Sequence, residues 1–470
     1  MNILEAFDDP HLFGPLIPKG DWAPWRAFLA ALFALPPQEG AGQVFEHSTN
    51  RGTWPVQPFS EAWLICGRRA GKSFVLALVA VFLAAFGSYD AHLGPGERAT
   101  VMLIAADRRQ ARVLLRYIRG LLSGVPMLAR LIEAETAERI DLTNRVSIEI
   151  ATASFRTSRG YSLVASLGDE VAFWGGDDAA SPDTEILHAL RPALATIPGA
   201  MLLCASSPYG RRGAMWSTYK RHFGRDDAPV LVWKASTRFM RPDFPQQVVD
   251  DAMADDPAAA NAEYNAEFRA DVETFLDREV FLRCVPDEEA ERQPLKGVKY
   301  FAFVDPSGGS SDSMTLAIAH RDDRSSVLDM VREVTPPFSP ETVVTNFVAD
   351  LKRYGLREVT GDRYAGEWVR EPFARHGISY KLSEQTKNEI YQTFLPLVNS
   401  RQVELLDNSR MVAQFLGLDR RTGKYGRDSV DHAPGAHDDL ANAAAGALVG
   451  VVPNTIVGNY AATGSYRMRR

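Results

Sequence analysis

Apolar and polar positions follow one another along this 470-residue chain in blocks of two kinds. Short apolar runs bounded by Gly, Pro or charged residues have the length of buried strands, and longer stretches with apolar positions every three or four residues have the period of helices. The first kind covers Leu64-Ile65-Cys66, Ala99–Ala106, Val146–Ile150, Leu163–Glu170 and Ala200–Ala205. The second covers Phe74–Phe86 and an arginine-bearing stretch after Ala106. Strands alternating with helices and ending in polar loops predict a parallel sheet flanked by helices on both faces, with a ligand at the strands' C-terminal edge. Ahead of the first strand, Trp25-Arg-Ala-Phe-Leu-Ala-Ala-Leu-Phe33 has helical spacing and is followed by Pro36-Pro37 and a polar stretch to Trp54-Pro55. We read either an amphipathic helix and loop laid over that edge or a plain packing helix.

The pattern changes after residue 240. Residues 241–294 contain no strand pattern and are expected to form an acidic helical linker. Alternation resumes at Val298–Val304, Met314–His320 and Ser326–Val331, three strands of a meander. A helix over about Pro340–Tyr354, strands at Glu358–Asp362 and Ile378–Leu382, a helix near Glu389–Val398, a strand at Val403–Leu406 and a helix starting at His437-Asp438-Asp439 follow. The predicted organisation is a helical lid (1–60), an α/β domain (61–240), the linker (241–294), a second α/β domain of βββαβ layout (295–452) and a flexible basic tail (453–470).

The net charge of −7 weighs against a nucleic-acid partner until its distribution is read. Residues 1–240 hold 25 Lys+Arg against 23 Asp+Glu, 241–294 hold 5 against 15, and 295–470 hold 22 against 21. The acidity belongs to one segment, and both flanks can carry basic faces. Three dispersed cysteines, Cys66, Cys204 and Cys284, argue against a disulfide framework and a zinc site and fit a reducing cytoplasm. The apolar run Phe74–Phe86 is too short to span a bilayer, and no signal peptide opens the chain, so a soluble protein without membrane contact is expected.

Leu64-Ile-Cys-Gly67-Arg68-Arg69-Ala70-Gly71-Lys72-Ser73 is a strand running through a Gly-rich loop into a helix. Such a loop cradles phosphate: Gly67 and Gly71 free the backbone N–H groups, Lys72 reaches the β/γ-phosphates and Ser73 ligates Mg²⁺, at the positive end of the helix dipole. The general pattern asks for Gly where Cys66 stands. About a hundred residues on, the strand Leu163–Gly168 delivers Asp169, to hold the Mg²⁺ of bound ATP, and Glu170, to orient and deprotonate water. Ser206 and Ser207, at a further strand tip, are suited to sensing the γ-phosphate or form an ordinary polar turn. Arg108, Arg109, Arg112, Arg116 and Arg119 recur at three- and four-residue spacing, a stripe that tracks a phosphate backbone or is a solvated face.

In the second domain Asp305 ends the first strand, Asp362 ends a later one, and Asp438 or Asp439 opens the last helix. Converging carboxylates repel unless cations lie between them, so the trio predicts two Mg²⁺ or Mn²⁺ ions and in-line phosphodiester hydrolysis.

A P-loop ATPase followed by an RNase H/RuvC-type nuclease in one chain resembles the large subunit of a tailed-bacteriophage or prophage DNA-packaging terminase. The resemblance spans roughly residues 10–450 and rests on Cys66–Ser73, Leu167-Gly-Asp-Glu170, Ala205-Ser-Ser-Pro208, Val304-Asp305, Gly361-Asp362-Arg363 and His437-Asp438-Asp439, in that order. It implies a motor that docks on the portal protein of a procapsid in the host bacterial cytoplasm. There it would drive double-stranded DNA inside by ATP hydrolysis and cut concatemeric DNA. Its implied partners are the portal, a small terminase subunit and further copies of itself in a ring, expected as a pentamer when docked and a monomer in solution. It further implies that Ser206-Ser207 form a coupling motif and that Arg159 is an arginine finger supplied to a neighbour, with Arg68 or Arg69 the rival. The basic turn Arg420-Arg421-Thr-Gly-Lys424 would contact DNA near the nuclease. The alternatives are a repair or recombination ATPase-nuclease that serves no capsid, and a non-enzymatic DNA-binding scaffold with degenerate sites.

Overall fold

The computed structural model describes residues 1–152, 160–174, 182–287, 290–310, 312–362, 369–422, 428–433 and 436–453. These fall into two compact units, divided between Val272 and Glu273.

The first unit is built on eight strands: β1 (Glu61–Cys66), β2 (Ala99–Ala105), β3 (Ile132–Glu135), β4 (Arg139–Leu142), β5 (Val146–Thr152), β6 (Ser162–Asp169), β7 (Met201–Ser206) and β8 (Leu231–Ala235). Their order in the sheet is β3-β4-β5-β2-β6-β7-β1-β8. β5, β2, β6, β7, β1 and β8 run parallel, and β3 and β4 add an antiparallel hairpin at one edge. Strand periodicity divides β1 between two cores. Ala62, Leu64 and Cys66 pack with the N-terminal helices and the helix Lys72–Phe86, whereas Trp63 and Ile65 pack with the helices Pro182–Leu194 and Gly213–His222. Register then fixes the functional edge: Ile65 lies opposite Ser206 and Asp169 opposite Ala205, so the ends of β1, β7 and β6 are level.

The second unit carries a six-stranded sheet. After β9 (Val272–Thr274), its strands are β10 (Tyr300–Asp305), β11 (Met314–Asp322), β12 (Ser325–Val334), β13 (Glu358–Gly361), β14 (Ser379–Leu382) and β15 (Val403–Glu404), in the order β14-β13-β10-β11-β12-β15. β10, β11 and β12 are antiparallel, and β13 and β14 add parallel to the β10 side. This is the strand order of an RNase H-like fold. One face is covered by the helices Pro340–Arg353 and Arg370–Arg375, the other by Lys387–Asn399, Ser409–Leu416 and Asp439–Gly450. β16 (Leu418–Thr422) and β17 (Asp428–His432) form an antiparallel ribbon.

Several elements depart from the sequence reading. Residues 241–294 do not form a linker: the helices Gln246–Asp255 and Pro257–Asn265 belong to the first unit, and Arg278–Leu282 to the second. Their acidity is a solvated face, while Ala260, Ala262 and Phe281 are buried. The strand β9, inside the segment read as having no strands, the hairpin β3–β4, the strand β8 and the ribbon β16–β17 are additional strands. Arg420 and Arg421, expected in a turn, lie in β16, where Arg420 Nε is 2.8 Å from Asp428 Oδ2 on β17. Residues 423–427 and the tail 454–470 lie outside the described residues.

Candidate active sites

The first site forms at the level edge of β1, β6 and β7. β1 turns out of the sheet through Gly67, where a Cβ would collide with the Thr237 hydroxyl and the Tyr264 carbonyl, so only Gly lets the loop sit against the following helices. Gly71 has φ 104°, a left-handed conformation that starts the helix Lys72–Phe86. Trp25 Nε1 donates to Ala70 O at 2.8 Å, so the N-terminal helix Ala23–Leu32 braces the loop from its far side. Thr237 Oγ1 donates to Arg68 O at 2.8 Å, and Arg68 Nη1 pairs with Glu263 at 3.2 Å. Arg68 is therefore engaged by the helix behind it. Cys66 stands where the general pattern has Gly; its thiol is buried at the end of β1, and burial pushes it up to about 12, so it is a neutral packing group.

Lys72 is buried, with Nζ 2.9 Å from Cys66 O, 3.0 Å from Gly67 O and 3.4 Å from Ser207 Oγ. These oxygens hold the ammonium in the loop where phosphate oxygens would receive it. Ser73 Oγ donates to Asp169 Oδ2 at 2.8 Å, so the two residues expected to share a Mg²⁺ already touch. Burial and the neighbouring Glu170 push the Asp169 carboxyl up to about 6. Trp174 Nε1 donates to Asp169 O at 2.9 Å and fixes the strand end. Glu170 follows at φ 51°, an uncommon left-handed position for a non-glycine residue, and its Oε2 lies 3.0 Å from Ser206 Oγ. Thus Gly67, Gly71, Lys72, Ser73, Asp169, Glu170, Ser206 and Ser207 come together. Arg159 lies outside the described residues.

Among the described residues three of the five arginines on the helix Arg108–Gly124 have acidic partners on the neighbouring hairpin. Arg108 and Arg112 pair with Glu138, at 3.5 and 2.9 Å, and Arg119 pairs with Glu135. Glu135 ends β3 and Glu138 lies in the turn of the hairpin that the sequence reading missed, which is why the stripe resembled a free basic face.

The second site is carboxylate-rich. β13 lies parallel beside β10 with Val304 opposite Gly361, so Asp305 and Asp362, each the next residue, emerge side by side. The helix Asp439–Gly450 packs on β10 through Gly446, where a Cβ would meet the Phe303 ring. That close approach brings its first turn to the same place. Asn442 Nδ2, one turn into this helix, donates to Asp305 Oδ2 at 2.7 Å, and Thr315 Oγ1 donates to Asp439 O at 2.8 Å. Asp305, Asp312, Asp362, Lys387, His432, His437, Asp438, Asp439 and Asn442 line a cavity of about 380 Å³.

Asp438 and Asp439 have different surroundings. Asp438 is buried and accepts from Lys387 Nζ, 2.8 Å from Oδ2, and from the Tyr391 hydroxyl at 2.8 Å. Asp439 Oδ2 is buried with no hydrogen-bond partner among the described residues. Burial, then the carboxylates of Asp439, Asp438 and Asp362, push Asp305 up to about 8, and burial with Asp438 pushes Asp439 up to about 6. An orphaned buried oxygen among carboxyls that resist ionisation fits a cation site. Asp431, His432 and Asp438 also bring ligand atoms within 4.8 Å of one another, but Lys387 Nζ, 2.9 Å from Asp431 Oδ1, already bridges the two acids. Lys387, Tyr391 and Asn442 were not singled out from sequence. Their signal was helical spacing: Lys387 and Tyr391 are four residues apart, and Asn442 follows Asp438 by four.

No family model matches the chain, and no curated protein matches it. Among solved structures it is similar to the large terminase of bacteriophage HK97, at 15% identity over 94% of this chain and 98% of that one, with a TM-score of 0.41. It is similar also to the large terminase of a thermophilic bacteriophage in complex with ADP, at 11% identity over 84% and 94% of the two chains, TM-score 0.37. The large terminase nuclease of thermophilic phage G20c with bound magnesium matches 36% of this chain and 95% of its own, at 17% identity and TM-score 0.32. Similarity at this level assigns no residue a role.

Proposed function

We propose that the chain is a DNA-packaging terminase large subunit: an ATPase that translocates double-stranded DNA and a metal-dependent endonuclease that cuts it. The observation that carries this reading is the presence, in two separate units of one chain, of a phosphate loop beside a Ser73–Asp169–Glu170 edge and a carboxylate cluster at the strand ends of an RNase H-like sheet.

In the first unit Lys72 would transfer its hydrogen bonds from Cys66 O and Gly67 O to the β/γ-phosphates, while Ser73 Oγ and Asp169 would hold the Mg²⁺ of bound ATP. Glu170 would align water and take its proton at Oε2. Ser206 Oγ, 3.0 Å from Glu170 Oε2, would be the contact through which a coupling motif senses the nucleotide. Arg159 is proposed as a finger completing a neighbour's site.

In the second unit Asp305, Asp362 and Asp439 are proposed as the metal-binding set, with Asp438 an anchoring residue. A bound pair of Mg²⁺ or Mn²⁺ ions would supply activated water and stabilise the leaving oxygen. Asn442 would hold Asp305 in its orientation. The portal, a small subunit, a ring of copies and action in the host cytoplasm belong to this reading. Among the described residues no helix is long and apolar enough to cross a membrane.

In-vitro packaging with purified procapsids tests the proposal. ATP-dependent protection of duplex DNA from added nuclease supports it. Robust ATPase and nuclease activities without any packaging, in an extract that supports a known terminase, would instead favour a repair or recombination ATPase-nuclease.

A further inference from the structure

Lys387 is a cation in the carboxylate cavity that the cleavage scheme above does not use. It stands in the first turn of the helix Lys387–Asn399, whose start is fixed by a capping box between Thr386 and Glu389, so its backbone is anchored. Its side chain is about one-third exposed, with Nζ 2.9 Å from Asp431 Oδ1 and 2.8 Å from Asp438 Oδ2. Asp438 does not depend on it alone, because Tyr391 also donates to that carboxylate. Asp431 is nearly half exposed and stands on β17.

A DNA phosphodiester entering this cavity would bring negative charge among five carboxylates, Asp305, Asp312, Asp362, Asp438 and Asp439. Cations held by Asp305, Asp362 and Asp439 would meet some of its oxygens; the protein must offer a donor to what is left. An ammonium on a flexible four-carbon stem, with three donors, is suited to exchanging one carboxylate partner for a phosphate oxygen.

We propose that Lys387 contacts substrate in the nuclease site: its ammonium binds a non-bridging oxygen of the scissile DNA phosphodiester, and Asp431 with Asp438 holds it ready until DNA arrives. The inference rests on the nuclease reading above.

The test uses the full-length chain and supercoiled plasmid in Mn²⁺, with ATP hydrolysis, Mn²⁺ affinity by electron paramagnetic resonance and melting temperature measured in parallel. Lys387→Met should lower kcat for cleavage by about 10²–10³-fold, the usual effect of removing one charge-stabilising donor. It should leave ATP hydrolysis unchanged and Mn²⁺ affinity within about twofold, and Lys387→Arg should recover part of the rate. Asp431→Asn, which removes only the holding partner, should cleave at least as fast as wild type. Wild-type cleavage by Lys387→Met overturns the proposal. So does equal slowing by Lys387→Met and Asp431→Asn, which would make Lys387 a tether for β17, or loss of Mn²⁺ binding in step with cleavage, which would make it a prop for Asp438. A measurement on the wild-type chain stands clear of any folding defect: acetylation of Lys387 should fall when uncleaved duplex is bound in Ca²⁺, and unchanged labelling overturns the contact. If wild type cuts DNA and Asp305→Asn does not, the nuclease reading holds and Lys387 alone is on trial. A wild-type chain that cuts no DNA with either metal ends both.

Discussion

Two adjacent aspartates at the start of one helix have different surroundings, which the sequence could not distinguish. Asp438 has its negative charge matched by Lys387 and its geometry held by Tyr391, whereas Asp439 Oδ2 is buried without a hydrogen bond among the described residues, with His437 Nδ1 4.0 Å away. Asp439→Asn should abolish cleavage and weaken Mn²⁺ binding at least tenfold. Asp438→Asn should bind Mn²⁺ nearly as well as wild type but melt lower, because Lys387 then loses its buried partner. Mn²⁺ titration and thermal melts of both variants decide it, and the reverse pattern would exchange the two roles. Asp305 gives a prediction with a definite sign. Its carboxyl is raised to about 8, above its ordinary value, so the metal-free fold binds a proton that the unfolded chain releases. The metal-free second unit should therefore lose stability from this group as pH rises from about 4 to about 8. Divalent cations compete with that proton, so the gain in melting temperature on adding Mn²⁺ should be larger at pH 8 than at pH 6. Asp305→Asn should flatten both dependences, and an unchanged metal shift in that variant would place Asp305 outside the site. The acids themselves were legible because strand ends and helix starts are where such ligands are placed. Lys387, Tyr391 and Asn442 were not, because a lysine, a tyrosine and an asparagine on a helix have many ordinary uses, and only the packing of those helices on the sheet brings them to the acids.

At the scale of elements, the helix Ala23–Leu32 braces the loop Gly67–Gly71. Trp25 is fully buried, its ring meets Phe28 edge-on at 5.9 Å, and its indole N–H holds Ala70 O. Trp25→Phe keeps most of the packing and removes that bond, so a stability loss of about 1 kcal/mol is expected, from one net hydrogen bond. Nucleotide affinity should fall with it, because the loop loses its support. Fluorescence titration with an ATP analogue alongside a denaturant melt would check this, and unchanged affinity would reduce the helix to simple packing. The core strands and the long apolar helices were readable from pattern because burial on both faces of a parallel sheet leaves near-continuous apolar runs. The hairpin β3–β4 was not, since Ile132-Glu-Ala-Glu135 is a mostly exposed edge strand with little apolar alternation to detect. Missing it made the arginines of the neighbouring helix look unpaired. β8, Leu231-Val-Trp-Lys-Ala235, is buried at four of its five positions, and an apolar run this short has no periodicity of its own to mark it as a strand.

Across the whole molecule the account makes each unit an independent enzyme and the ring a way of completing the first. A finger supplied by a neighbour raises hydrolysis by about 10³–10⁵-fold. If Arg159 has this role, ATPase activity should climb more steeply than protein concentration. Arg159→Ala mixed with Glu170→Ala should recover hydrolysis that neither shows alone, because one brings an intact base and the other an intact finger. A mixture no more active than its components, with both variants still assembling, would place the finger in cis.

The central claim is that Lys72 and Asp305 serve two separate chemistries, and a two-by-two assay tests it most directly. ATP hydrolysis and Mn²⁺-dependent plasmid cleavage are measured on wild type, Lys72→Ala and Asp305→Asn, with melting temperatures as the control for folding. The account predicts that Lys72→Ala loses ATP hydrolysis and keeps cleavage, while Asp305→Asn keeps ATP hydrolysis and loses cleavage. Loss of both activities in either variant, at an unchanged melting temperature, would contradict it.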